Sequence, residues 1–228
     1  MEKDFELERY KDFKEWYQHR GFGGSTMSAL FDKNPYQSKL DVYASIVNAK
    51  EDVDEEDGNE STQYGKLLEP LLIKICEINF KDKFDVIAFP KYAFYRKKSN
   101  PICTASLDGE MTEKESGDKW ILEIKTHDIR NRADEENWNG HLPDNYFIQC
   151  LSYLNVCNTY KGAMLMAKLR FYDYFAEDGK EIIKEEIRYY KIERKDFEKD
   201  IEYLNQVATN FYQNNILKHI PPEIEINL

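Results

Sequence analysis

The sequence predicts a mixed α/β (α+β) fold, a central mixed β-sheet flanked by helices, and three observations carry the prediction. Apolar residues recur at helical spacing through the first 80 positions and again at the C-terminal end. From Phe84 the texture changes to short apolar runs separated by turn residues, the pattern of strands. Helical spacing returns once between those runs, at 143–156, so strands and helices alternate around one sheet.

The elements follow in order. Residues Phe5 to His19 set Phe5, Tyr10, Phe13, Trp16 and Tyr17 at near-helical spacing and stop at Arg20-Gly21-Phe22-Gly23-Gly24, a helix followed by a glycine-rich turn. Ser25 then caps a second helix reaching about Phe31, and Asn34-Pro35-Tyr36 ends it. A third helix runs from Ser38 to Ala49 with Leu40, Tyr43, Ile46 and Val47 as its apolar face. The acidic run Glu51–Asp57 reads as a solvated loop. A fourth helix covers Thr62 to Phe80, with Leu68, Leu72, Ile75 and Cys76 on one face. Pro70 either kinks it or opens it as a first-turn proline.

Strands are expected at Phe84–Phe89, Ala93–Arg96, Thr104–Met111 and Trp120–Lys125, with Ser116-Gly117-Asp118 turning an antiparallel meander. A helix at Pro143–Val156, strands at Lys161–Tyr172 and Ile182–Ile192 joined across Glu177-Asp178-Gly179-Lys180, and a last helix at Lys195–Leu217 complete the order. The length of 228 residues suits one domain: N-terminal helices 1–50, an acidic loop 51–60, a core 61–194 and a C-terminal helix 195–217.

Composition narrows the function. The N-terminus is charged without an apolar h-region and no stretch approaches a membrane span, so the reading is a soluble, cytoplasmic protein. Cys76, Cys103, Cys150 and Cys157 form no CxxC pair and lie in apolar contexts, which suits buried free thiols rather than a metal cluster. A net charge of −11 and a pI of about 5.0 argue against broad electrostatic coating of nucleic acid. Against that, Lys91, Arg96, Lys97 and Lys98 cluster shortly before Asp108, where they would guide a phosphate backbone.

Two acidic segments carry the chemistry, Ala105-Ser106-Leu107-Asp108-Gly109 and Ile121-Leu122-Glu123-Ile124-Lys125. Glu123 and Lys125, two apart on a strand, point to one face. With Asp108 beside them they would hold a divalent cation by hard oxygen ligands and place an ammonium next to a bound water, the requirements of phosphodiester hydrolysis. Each part also has an ordinary explanation. Glu-x-Lys is common on solvent-facing strands, and Leu107-Asp108-Gly109 reads as a turn. The apolar neighbours Ile121, Leu122 and Ile124 tip the balance, because they place the charges toward the interior, where charges need partners. Glu69, Gln149 and Tyr153 are further polar residues beside apolar helix faces.

In chain order, Arg20-Gly-Phe-Gly-Gly-Ser25, Asn34-Pro35-Tyr36 with Leu40-Asp-Val-Tyr43, Gly65-Lys-Leu-Leu-Glu69-Pro70, Ala105-Ser-Leu-Asp108-Gly109, Leu122-Glu123-Ile124-Lys125 and Tyr146-Phe-Ile-Gln149 together resemble the YqaJ-type viral recombinase group. Lambda exonuclease belongs to that group, within the PD-(D/E)xK nuclease superfamily. The resemblance spans about Arg20 to Tyr153 and implies a restriction-endonuclease-like core. It implies Asp108, Glu123 and the Ile124 carbonyl as metal ligands, with Lys125 orienting or deprotonating the attacking water. Glu69 would act through a metal-bound water, and Gln149 would hold Lys125 or that water. Arg20 and Ser25 match the segment that binds the substrate's 5′ end. The implied ion is magnesium, with manganese as substitute.

The implied activity is 5′-to-3′ degradation of one strand of linear duplex DNA. It leaves a 3′ overhang for a single-strand annealing protein, in a phage or prophage setting and as a ring of three subunits. Leu107 stands where the group usually has proline, and Leu151 where a second glutamine is common. Two other readings stay open, an endonuclease on the same fold and a DNA-end-binding module without catalysis. A Cas4-like nuclease, which needs clustered cysteines, is disfavoured by their dispersal.

Overall fold

The computed structural model describes residues 2–47, 59–173 and 181–223. The expected acidic loop and the Glu177–Lys180 junction lie outside the described residues.

Five strands form the main sheet: β2 (Phe84–Ala88), β5 (Gly109–Glu113), β6 (Lys119–Ile129), β7 (Gly162–Tyr172) and β8 (Ile182–Glu193), in the order β2-β5-β6-β7-β8. Only β6 and β7 pair in parallel, which makes the sheet mixed. A smaller sheet joins β1 (Phe5–Arg9), β3 (Ala93–Lys97) and β4 (Thr104–Ala105) in the order β1-β3-β4. The expected meander is therefore split between two sheets. The run read as one strand, Thr104–Met111, is two, because the chain leaves the small sheet after Ala105 and enters the large one at Gly109. Asp108 lies in that crossover.

The helices are α1 (Phe13–His19), α2 (Gly24–Leu30), α3 (Lys39–Val47), α4 (Glu60–Phe80), α5 (Arg132–Asn137), α6 (Asp144–Val156) and α7 (Glu198–Phe211). The first expected helix is corrected: Phe5–Arg9 is a strand paired antiparallel with β3, and the helix begins only after Asp12, whose side chain accepts the Glu15 N–H. Strand pairing there outweighs aromatic spacing. Ser25 is not a cap. Gly23 holds that position, and Ser25 is the exposed second residue of α2. Pro70 lies inside α4, which runs on past it, so it opens no helix. The last helix is a 3₁₀ turn (Arg194–Asp196), α7 and a π-helical turn (Tyr212–Ile216) in succession.

Apolar residues fill both faces of the main sheet. Ile121, Ile129, Leu165 and Leu169 pack with residues of α2, α6 and α7. Trp120, Leu122, Ile124 and Met166 pack with Leu72, Ile73 and Cys76 of α4. Such double burial belongs to an interior strand, and it forces the polar residues of β6 to find partners inside the protein. Among the described residues, no helix is long and apolar enough to cross a membrane.

Candidate active site

The site forms where the β5–β6 hairpin, α4 and α6 meet. Gly109 pairs with Leu122, and that register carried one residue further sets Asp108 opposite Glu123. The Ile124 N–H donates to Asp108 Oδ2 at 2.6 Å, fixing the carboxylate against β6. Helix α4 crosses β6 closely at Gly65, where an added Cβ would stand 3.1 Å from Thr126 Oγ1. One turn later Glu69 comes within the electrostatic reach of Asp108 and Lys125.

Glu123 is the centre of the cluster. Its Oε1 accepts from Lys125 Nζ at 2.6 Å and from Gln149 Nε2 at 2.5 Å. Its Oε2 is buried and receives no donor among the described residues, while the Asp108 carboxyl lies within hydrogen-bonding reach of the Glu123 side chain. Gln149 also donates to Tyr153 Oη at 2.8 Å, which sets its amide orientation. Burial, reinforced by the negative charge of Asp108, pushes the Glu123 carboxyl up to about 8, although Lys125 pulls the other way. Burial and Asp108 likewise raise Glu69 to about 7. Burial raises Asp108, against the pull of Lys125 and the Ile124 N–H. Burial alone would lower Lys125, but Glu123 and Asp108 overcome it and hold the side chain as an ammonium.

Three carboxyls displaced upward together form a site short of positive charge. The group that would correct it is a cation, and the unpartnered Glu123 Oε2 has the donor chemistry for one. Asp108, Glu123 and the Ile124 carbonyl are hard oxygen donors that fit a divalent ion. Among the described residues no group of three or more His, Cys, Asp and Glu side chains forms a preformed cage. A small hard ion that keeps most of its waters and uses one or two carboxylates needs none.

Asp108, Glu123, Lys125, Gln149 and Glu69 are brought together, whereas the Ser25 side chain is exposed on α2. Arg20 caps α1, stacks over Trp16 at 4.8 Å, and lies close enough for its charge to act on Tyr153. Ser25 follows Gly24, which packs on the Gln149 and Tyr153 side chains. Two members of the basic cluster do not serve as expected. Arg96 is engaged by Glu8 and by the carbonyls of His19 and Pro101, and Lys97 donates to Asn155 and Asn205 at a cleft that shares no residue with the one beside the carboxylates, so these two are committed elsewhere.

The sequence reading gave two features no role. Tyr146 lies under Lys125 Nζ, 5.3 Å from its ring centroid, and helps line a cleft of about 490 Å³ with Tyr36, Gly65, Glu69, Ile124 and Lys125. Its position one turn before Gln149 on α6 was the available signal. Helix α5 carries no apolar stripe. It is held by the next residue, Trp138, buried against Tyr146 and His127, whose carbonyl accepts from Arg188 and Tyr190.

Gly24 gives a direct test of this geometry. A Cβ there would meet Gln149 Cγ at 2.4 Å and Tyr153 Cε1 at 2.9 Å. Gly24→Ala is expected to displace Gln149 from Glu123, costing about 1–3 kcal/mol of stability, and to lower turnover about tenfold or more. Thermal unfolding and hydrolysis rates check it.

The mixed sheet and helices define an α/β protein of the alkaline exonuclease fold. The chain is similar to the alkaline exonuclease of Laribacter hongkongensis, with a TM-score of 0.59 at 16% identity over 91% of this chain and 96% of the other. The same enzyme in complex with dAMP gives 0.56 at 17% identity, over 91% and 96%. A phage-related exonuclease from Haemophilus somnus 129PT gives 0.50 at 18%, over 88% and 97%. No protein of curated function matches the sequence. The match to the YqaJ-like viral recombinase domain covers residues 12–160, and the chain belongs to that family.

Proposed function

We propose that the protein is a magnesium-dependent deoxyribonuclease that degrades one strand of linear duplex DNA from its 5′ end, leaving a 3′ single-stranded overhang. The observation that carries the reading is the divided environment of Glu123. One oxygen is clamped by Lys125 and Gln149, and the other is buried and unpartnered beside Asp108. Family membership and the exonuclease folds similar to this chain support it.

Asp108, Glu123 and the Ile124 carbonyl would hold the ion, with manganese an acceptable substitute. When bound, the ion would polarise a phosphoryl oxygen and lower the pKa of a water. Lys125, fixed as an ammonium by Glu123, orients that water and offsets charge that develops on the phosphate. Gln149 keeps Glu123 and Lys125 in register, and Glu69, whose carboxyl sits near neutrality, is suited to hold a water at the cleft. Arg20 offers a forked donor to a terminal 5′-phosphate, and Ser25 offers an exposed hydroxyl in the first turn of α2. The proposal extends to a ring of three subunits, whose acidic exterior around a DNA channel would reconcile the net charge of −11 with the substrate. It also extends to a single-strand annealing protein that receives the overhang.

The test is incubation with magnesium and linear duplexes bearing 5′-phosphate or 5′-hydroxyl ends, with a circular control. Linear DNA is expected to be degraded and circles spared. Arg20→Ala is expected to remove the preference for phosphorylated ends, a loss of about ten- to a hundredfold on those ends. Cleavage of circles at the same rate would establish the endonuclease reading instead, and no hydrolysis of any substrate would end both.

A further inference from the structure

Tyr36 stands at the rim of the cleft that holds Glu69, Ile124 and Lys125, with 85% of its surface exposed. A single exposed tyrosine is ordinary; this one sits on a segment tied back to the site. Pro35 before it restricts the backbone. The Tyr36 N–H donates to Asn34 Oδ1 at 2.8 Å, and Asn34 Nδ2 donates to the Ser25 carbonyl at 2.8 Å. The segment is thereby tied to α2, the helix whose Gly24 packs on Gln149.

The ring has a counterpart. Tyr146 lines the same cleft and lies near enough for Tyr36 to act on its hydroxyl. The neighbouring residues Asn34, Pro35 and Asn145 instead line a second cleft of about 460 Å³ together with Asn137 and His141. Residues 34–36 and 145–146 thus form a ridge between two polar clefts, with the two tyrosines on the side of the carboxylates. A space of about 490 Å³ is of the size that takes a small-molecule ligand or a nucleotide unit. An aromatic face offered to solvent at such a place matches the flat π-face of a nucleobase, which stacks without regard to sequence.

We infer that Tyr36 is a stacking platform for the nucleobase of the nucleotide entering the cleft, a contact that holds the strand while its phosphate lies against Lys125. The inference rests on the nuclease reading and adds to it the residue that grips the base. The segment is held through the Tyr36 backbone N–H and the Asn34 side chain, and the ring is 85% exposed, so replacing it is expected to leave the fold intact.

The test uses DNA with 2-aminopurine at the 5′-terminal position, bound in calcium so that the complex persists. Wild type is expected to quench the fluorophore, and Tyr36→Ala to lose the quench and bind about 5- to 150-fold more weakly. Tyr36→Phe should retain both and Tyr36→Leu neither, with the melting temperature unchanged throughout. An abasic terminal residue should weaken wild type to the level of Tyr36→Ala and weaken that variant no further. Quenching at a flush duplex end would identify a terminal pair as the base held; quenching only at a frayed end would identify an unpaired base. Equal affinity of Tyr36→Ala and wild type, or an equal abasic penalty in both, overturns the inference. Hydrolysis in the same preparations separates the two claims. A wild type that cleaves DNA but ignores Tyr36 defeats only the stacking, whereas one that cleaves nothing defeats the nuclease reading.

Discussion

Glu123→Gln is expected to lower DNA hydrolysis by at least about 10³-fold while making the metal-free protein more stable in alkaline solution. The two effects have one origin. The wild-type carboxyl is buried beside Asp108 and rises to about 8 from an ordinary 4.5. A carboxyl with its folded value above its unfolded one contributes stability that is complete below about 4.5 and is lost as pH climbs through about 8. Glu69, raised to about 7, adds in the same sense. Metal-free wild type should therefore melt progressively lower from pH 5 to pH 9. On the proposed reading magnesium should restore the difference at the alkaline end, because it would bind the ionised carboxylates. Glutamine carries no charge to bury. Glu123→Gln should show a flatter pH profile and a much smaller thermal shift with magnesium. Calorimetry across that range with and without the ion reads both, and a magnesium shift equal to wild type would mean that Glu123 is not a ligand.

Lys125→Ala is expected to remove turnover by about 10²- to 10⁴-fold, yet to leave magnesium binding in place. Lys125 and Gln149 hold the same oxygen of Glu123, so the second oxygen stays available when the lysine is lost. The truncation leaves a buried carboxylate without its cation, a break that costs about 3–5 kcal/mol in a fully buried pair. Here the cost should fall at or below the lower end, since the Lys125 side chain is 21% exposed. It should also shrink below pH 8, where Glu123 protonates. Single-turnover rates and magnesium titrations by thermal shift separate the roles; undiminished turnover would show that another cation serves the reaction.

The contacts of Glu123 with Lys125 and Gln149 were more legible in the sequence than the path of the N-terminal strand. Glu123 and Lys125 stand out because charges amid Ile121, Leu122 and Ile124 demand partners, Asp108 reads alone as a turn and enters through the family resemblance, and Gln149 is found one turn from Tyr153. The first strand was not legible. Phe5, Tyr10 and Phe13 satisfy a helical spacing, and only pairing with β3, far along the chain, draws Phe5–Arg9 into a sheet. Within the basic run, Arg96 and Lys97 misled for a related reason. Charge along a sequence does not reveal that Glu8 and Asn155 will neutralise or bury it.

By itself the sequence determined the α/β class, the strand bearing Glu123 and Lys125, and the family, because local spacing and short motifs carry those signals. Tertiary structure alone decided that the run around Asp108 divides between two sheets, that Gly65 lets α4 close on β6, and that one oxygen of Glu123 is left without a partner. Those outcomes depend on which distant segments meet, and contact across the chain is what linear spacing leaves open.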